Sequence, residues 1–194
     1  MAFASLYPRF TRTRRIEDLC GTWDFQLDPE GVGVAQGWPE AGLPDPMEVP
    51  VPASFNDLFT DKGIREYYGD FWYARRFFVP GEWCEGNLDL RFDAATHRAT
   101  VYVNGTEVAS HEGGFTPFVA PIAQVVRPND WNLVVVRVSN ELTEQPWNLC
   151  DFQTGEGILR VDGNKKGAFT RTREPKAVAF LLRDRWTHIA DYQD

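Results

Sequence analysis

The stretch from Ala99 to Val108, ATVYVNGTEV, decides how the chain is read. Valine and tyrosine run up to Val103, Asn104-Gly105 interrupts them, and Val108 follows. Asn and Gly both tolerate the positive φ that a type I′ turn demands. An Asn-Gly pair between alternating apolar runs is therefore the strongest short signal for a β-hairpin.

Similar runs lie on both sides. Gly21 to Leu27 alternates, placing Trp23, Phe25 and Leu27 on one face. Phe71 to Val79 is a long aromatic run bounded by Gly69 and by Pro80-Gly81. Asn87 to Phe92 brings Leu88, Leu90 and Phe92 together, and Asn132 to Val138 is nearly continuous in valine. Short strands at regular spacing, separated by turn residues, predict a mainly β fold, a β-sandwich of jelly-roll kind. The segment from Trp38 to Ser54 holds Pro39, Pro44, Pro46, Pro50 and Pro52. That density excludes a central strand and a helix, and the segment reads as an ordered surface loop leading into Phe55.

The pattern changes near Thr143. Trp147, Leu149 and Phe152 mark a short apolar stretch, and Gly155, Gly157, Gly163 and Gly167 punctuate a loop. Pro175 suits the first turn of a helix and Glu174 suits its positive end. Ala177, Phe180, Leu181 and Trp186 then recur at helical spacing. The reading is a sandwich over residues 1–143, followed by a short C-terminal strand-loop-helix tail over residues 144–194.

Composition narrows the function. The 194 residues are 43% hydrophobic and 14% aromatic, enough for one well-buried core. The formal net charge is −8 and no basic face is evident, which argues against nucleic acid and against an anionic membrane surface as partners. No apolar run approaches a membrane span, and residues 1–20 lack the apolar core of a signal peptide. The cysteines Cys20, Cys84 and Cys150 are odd in number and widely spaced. They are expected to be reduced thiols in or near the core of a cytoplasmic protein. None has zinc-ligand spacing and no metal-ligand cluster is visible, so no metal or cofactor is expected. Glu107, Glu112 and Glu156 read as solvated loop charges. No Ser or Cys is placed to pair with His111 as a nucleophile, and His97 and His188 carry no motif.

Several segments carry a family resemblance. LYPRFTRTRRIEDLCGTWDFQL (6–27), VPASFND (51–57), FWYARRFFVP (71–80), LRFDAATHRATVYVNG (90–105) and HEGGFTPF (111–118) resemble the N-terminal jelly-roll, or sugar-binding, domain of β-glucuronidases of glycoside hydrolase family two. Residues 146–187 resemble the last βα unit of the same family's catalytic (β/α)₈ barrel. The resemblance implies a glycosidase that hydrolyses β-D-glucuronosides with retention. It also implies that Asn164 and Lys166 descend from a clamp on the sugar carboxylate, with Trp147 and Arg160 lining the same pocket. An amide and an ammonium make charge-assisted hydrogen bonds to a carboxylate that a neutral sugar leaves unmet. On turn chemistry alone, Asn164-Lys165-Lys166-Gly167 reads as a solvated turn.

A full barrel takes roughly 200 residues, far more than follow the sandwich. The Asn-Glu-Pro and Thr-Glu-Tyr-Gly motifs that hold the family's two catalytic carboxylates do not occur. The chain is expected to be truncated and inactive alone, with no catalytic residue of its own. The alternative is a carbohydrate-binding module, with Trp72, Tyr73 and Phe115 as stacking or core aromatics. An oligomer-partner module, self-pairing or pairing with a full-length homologue, follows from the family's habit of assembling.

Overall fold

A computed structural model describes residues 8–141. The tail reading over residues 144–194, with Trp147, Arg160, Asn164 and Lys166, lies outside the described residues, as do Cys150, Glu156 and His188.

The strands are β1 (Gly21–Asp28), β2 (Met47–Val51), β3 (Asp70–Val79), β4 (Asp89–Phe92), β5 (Arg98–Val103), β6 (Thr106–Glu112), β7 (Phe118–Pro121) and β8 (Asp130–Ser139). Three one-turn α-helices, α1 (Trp38–Ala41), α2 (Phe55–Leu58) and α3 (Lys62–Arg65), and a 3₁₀ helix at Gly81–Glu85 lie between them. The described strands form a six-stranded sheet, ordered β2-β1-β3-β8-β5-β6, and a two-stranded sheet, β4-β7. Every pairing is antiparallel. The protein is thus mainly β, a sandwich as expected. The Asn-Gly hairpin joins β5 to β6, with Asn104 at φ 49° and Gly105 at φ 87°, the backbone a type I′ turn needs.

Alternation places the core. Trp23 and Phe25 on β1, Phe71 and Phe77 on β3, Val101 and Val103 on β5, and Val134, Val136 and Val138 on β8 are all buried between the sheets. Phe25 sits at the centre, with ring centroids 5.2 Å from Phe55 and 5.1 Å from Tyr73. Burial pushes the Tyr73 phenol up to about 12. The sign follows from linkage. The unfolded chain releases this proton near the ordinary value of 10.0, while the folded chain holds it until about 12. Stability is therefore fully present below pH 10 and is lost as pH rises through 12, by roughly 3 kcal/mol for this group. Denaturant melts from pH 9 to 12 should show that decline in the wild type and a flatter one in Tyr73→Phe.

The opposite face of the six-stranded sheet has a smaller core of its own. Trp72, Ala74, Tyr102 and Val135 are buried there under Trp38. Gly33 makes that covering close. A Cβ at Gly33 would lie 2.7 Å from the Trp72 ring and 2.8 Å from Trp38. The buried Asp28 anchors the loop after β1. Its Oδ1 accepts from the Val32 amide at 2.8 Å, and its Oδ2 accepts from the Gly33 amide and from Trp72 Nε1, each at 2.9 Å.

Three expectations need correction. Residues 38–54 are not one loop, because they contain α1 and the strand β2. Proline excludes a central strand, but β2 is the outermost strand of its sheet, with Pro50 opposite Thr22, and an edge tolerates a missing N–H. Cys20 is exposed just ahead of β1, where its amide donates to Asp18 Oδ1, while Cys84 is partly buried against the core. Glu107 and Glu112 lie on the strand β6 and not in loops, although both are exposed. Among the described residues, no helix is long and apolar enough to cross a membrane.

Candidate functional site

The described residues that sequence reasoning singled out separate when placed in the fold. Trp72 is fully buried and cannot meet a ligand, and Tyr73 packs in the main core. Phe115 is 59% exposed in the turn between β6 and β7. His111 stacks on Phe118 at 4.4 Å. Its Nε2 lies 3.1 Å from both the Gly113 carbonyl and Thr116 Oγ1, so the ring is committed to holding that turn. His97 is buried, with Nε2 3.5 Å from Glu112 Oε1, and its backbone bridges Ser139 and Gly113. The Asp18 hydrogen bond, followed by burial, raises the Cys20 thiol, the opposite of an activated nucleophile. No group of three or more metal-ligating side chains occurs among the described residues.

A feature that sequence reasoning missed lies on the outer face of the six-stranded sheet. An open groove of about 490 Å³ is bounded by β1, β2 and β3 and by the end of α1. Asp24 on β1 stands directly opposite Glu48 on β2, and Arg76 on β3 lines the same groove. Asp24, Glu48 and Arg76 are exposed. Among the described residues they make no ion pair with one another. Arg75 is already engaged: its Nη1 donates to the carbonyls of Leu19 at 2.8 Å and Cys20 at 3.1 Å, and its guanidinium lies 6.0 Å from the Trp23 ring centroid.

Beyond the groove the same sheet face continues along β3 and β8. Arg76 pairs with Leu133 across β3 and β8, and the next same-face pair is Phe78 with Trp131. These two aromatics are 44% and 58% exposed, with ring centroids 5.9 Å apart and planes at 69°. A signal for them exists in the sequence. Phe77 and Phe78 are adjacent, and only one can face the core. Trp131 is likewise out of phase with the buried Val134, Val136 and Val138. Chemically, the face offers carboxylate acceptors, a guanidinium donor and exposed ring surface in one line.

The comparisons agree with this architecture. Residues 16–161 match the family model described as glycosyl hydrolases family 2, sugar binding domain. A β-glucuronidase of Paenibacillus borealis is 44% identical over 140 residues, covering 72% of this chain and 24% of that protein. A β-glucuronidase of Canis lupus familiaris is 37% identical over 179 residues, covering 86% of this chain and 27% of that protein. Among solved structures, the Ruminococcus gnavus β-glucuronidase superposes with a TM-score of 0.69 at 50% identity, over 71% of this chain and 23% of that one. The chain therefore spans about a quarter of the length of the relatives it matches. By its fold and by a family match that covers most of its length, the chain belongs to the sugar-binding-domain family of glycosyl hydrolases family 2.

Proposed function

We propose that this chain is a truncated β-glucuronidase-type glycosidase: the sugar-binding sandwich over residues 1–143, joined to a remnant of the end of the catalytic barrel over residues 144–194. The observation that carries this reading is coverage. The chain matches glucuronidases from bacteria and mammals, yet accounts for only about a quarter of each. The family reaction requires two carboxylates about 5–5.5 Å apart, one of them held neutral by its surroundings. Asp24 and Glu48 do face each other across β1 and β2, but both are exposed at an open groove. The 194-residue chain is accordingly read as inactive by itself.

In this reading Asn164 and Lys166 are the vestige of the uronate clamp, with Trp147 and Arg160 beside them. One experiment tests both parts. The purified intact chain is incubated with a chromogenic aryl glucuronide, and its binding of glucuronate is measured by calorimetry. The expected result is release no faster than the blank, with weak glucuronate binding that is lost in Asn164→Ala and Lys166→Ala. Turnover by homogeneous protein would remove the claim of inactivity. Glucuronate binding unchanged by both substitutions would remove the clamp.

The second reading, a carbohydrate-binding module, is favoured by the groove and aromatic pair on the outer face. It does not require the barrel.

A further inference from the structure

We infer that the outer face of the six-stranded sheet, from Trp131 and Phe78 to Asp24 and Glu48, is a binding site for a neutral, hydroxyl-rich oligosaccharide. The inference rests on reading the sandwich as a carbohydrate-contacting module, and it names where that contact occurs. Two independent observations meet there. One is a groove of about 490 Å³ lined by charged side chains that lack ion-pair partners among the described residues. The other is a pair of aromatics exposed side by side on neighbouring strands.

Sugars present two kinds of surface, and this face matches both. The C–H face of a pyranose is apolar and packs on an aromatic ring. Trp supplies the largest such ring at little cost in side-chain freedom. The ring edge carries hydroxyls in adjacent pairs. Asp24 and Glu48 are acceptors for those hydroxyls, and Arg76 is a donor between them and the aromatics. From Phe78 to Ala74, the β3 residue opposite Asp24, is four residues, or ~13 Å of strand. That length takes more than one sugar ring, so the ligand is a chain and not a monosaccharide.

Charge selects among glycans. Asp24 and Glu48 are offset by Arg75 and Arg76, which leaves the groove without net charge, and Arg75 is already bound to backbone carbonyls. With a formal charge of −8 over the whole chain, no excess of positive charge attracts a uronate. Two carboxylates opposite each other repel one as well. The site is thus separate in chemistry from the clamp proposed for Asn164 and Lys166.

Titration calorimetry on the intact chain tests this, using a neutral β-linked glucose tetrasaccharide and a glucuronate-containing tetrasaccharide of equal length. The neutral ligand is expected to bind, and the acidic one to bind more weakly. Trp131→Ala should weaken the neutral ligand about tenfold and Arg76→Ala several-fold. Both side chains are exposed, so neither substitution is expected to unfold the domain. Phe115→Ala, in the β6–β7 turn, should bind as the wild type does. Glycan binding that survives Trp131→Ala and Arg76→Ala, or that is lost in Phe115→Ala instead, overturns the site but leaves the module reading standing. Absence of binding to either ligand overturns both. If Trp131→Ala abolishes a concentration-dependent dimer while glycans give no heat, the face is a protein contact and the inference fails.

Discussion

Trp72→Ala is expected to cost about 3–5 kcal/mol, the range for truncating a fully buried large aromatic. Trp72 is completely inaccessible, and its ring lies 5.7 Å from Trp38 and 6.0 Å from Tyr102. Its indole N–H donates to Asp28 Oδ2, so truncation also takes one of three donors from a buried carboxylate. A domain of this size is stable by only about 5–15 kcal/mol. The melting temperature should therefore fall by roughly 10 °C or more. Thermal denaturation followed by circular dichroism measures this, with Trp72→Phe as a partial rescue that restores ring volume but not the hydrogen bond. If Trp72→Ala melts within a degree or two of the wild type, the outer core contributes little. The Asp28–Trp72 anchor would then have to be abandoned as a determinant of the fold.

Asn132→Ala should be nearly as damaging, for a polar reason. Asn132 is 1% exposed at the start of β8. Its Oδ1 accepts from the Arg127 amide at 2.7 Å and from Asn104 Nδ2 at 2.8 Å. Its Nδ2 donates to the carbonyls of Arg127 and Asp130, each at 3.0 Å. Asn104 extends the network by accepting from the Leu133 amide and donating to the Val125 carbonyl. Truncation at 132 removes all four of the hydrogen bonds made by its own side chain, each worth about 0.5–1.5 kcal/mol net. The expected loss is about 3 kcal/mol, read as a lower denaturant midpoint at unchanged m-value. Asn132→Asp, which keeps the acceptor but loses the donor, should fall between the two. A midpoint in Asn132→Ala equal to that of the wild type would mean that water replaces the amide without cost.

Both predictions fall on residues whose sequence context hides their role. Asn132 opens a valine-rich run and reads as a strand boundary. Only the approach of the β5–β6 turn to β8 makes it the hub joining residues 104, 125, 127 and 133. Trp72 reads equally well as core or as a sugar platform, because two alternating faces of one strand are equivalent until something covers one of them. Residues 32–43 cover the face that Trp72 occupies and leave Phe78, six residues on along the same face, open.

The alternation at Trp23, Phe25 and Leu27, the Asn104-Gly105 turn and the valine run of β8 were legible from residue order alone. They follow from local rules: a side-chain period of two along an extended chain, and the steric freedom of Asn and Gly at positive φ. The sandwich class and the hairpin needed nothing more. Strand order and register were a different matter, since they depend on contacts between residues far apart in sequence. Whether Pro50 lies at an edge or at the centre of a sheet, whether Asp24 faces Glu48, and whether Phe78 meets Trp131 across 53 positions are settled only when β2, β1, β3 and β8 lie side by side. Backbone pairing there is sequence-neutral, and what selects one arrangement is the burial of both sheet faces at once, which no window of neighbouring residues contains.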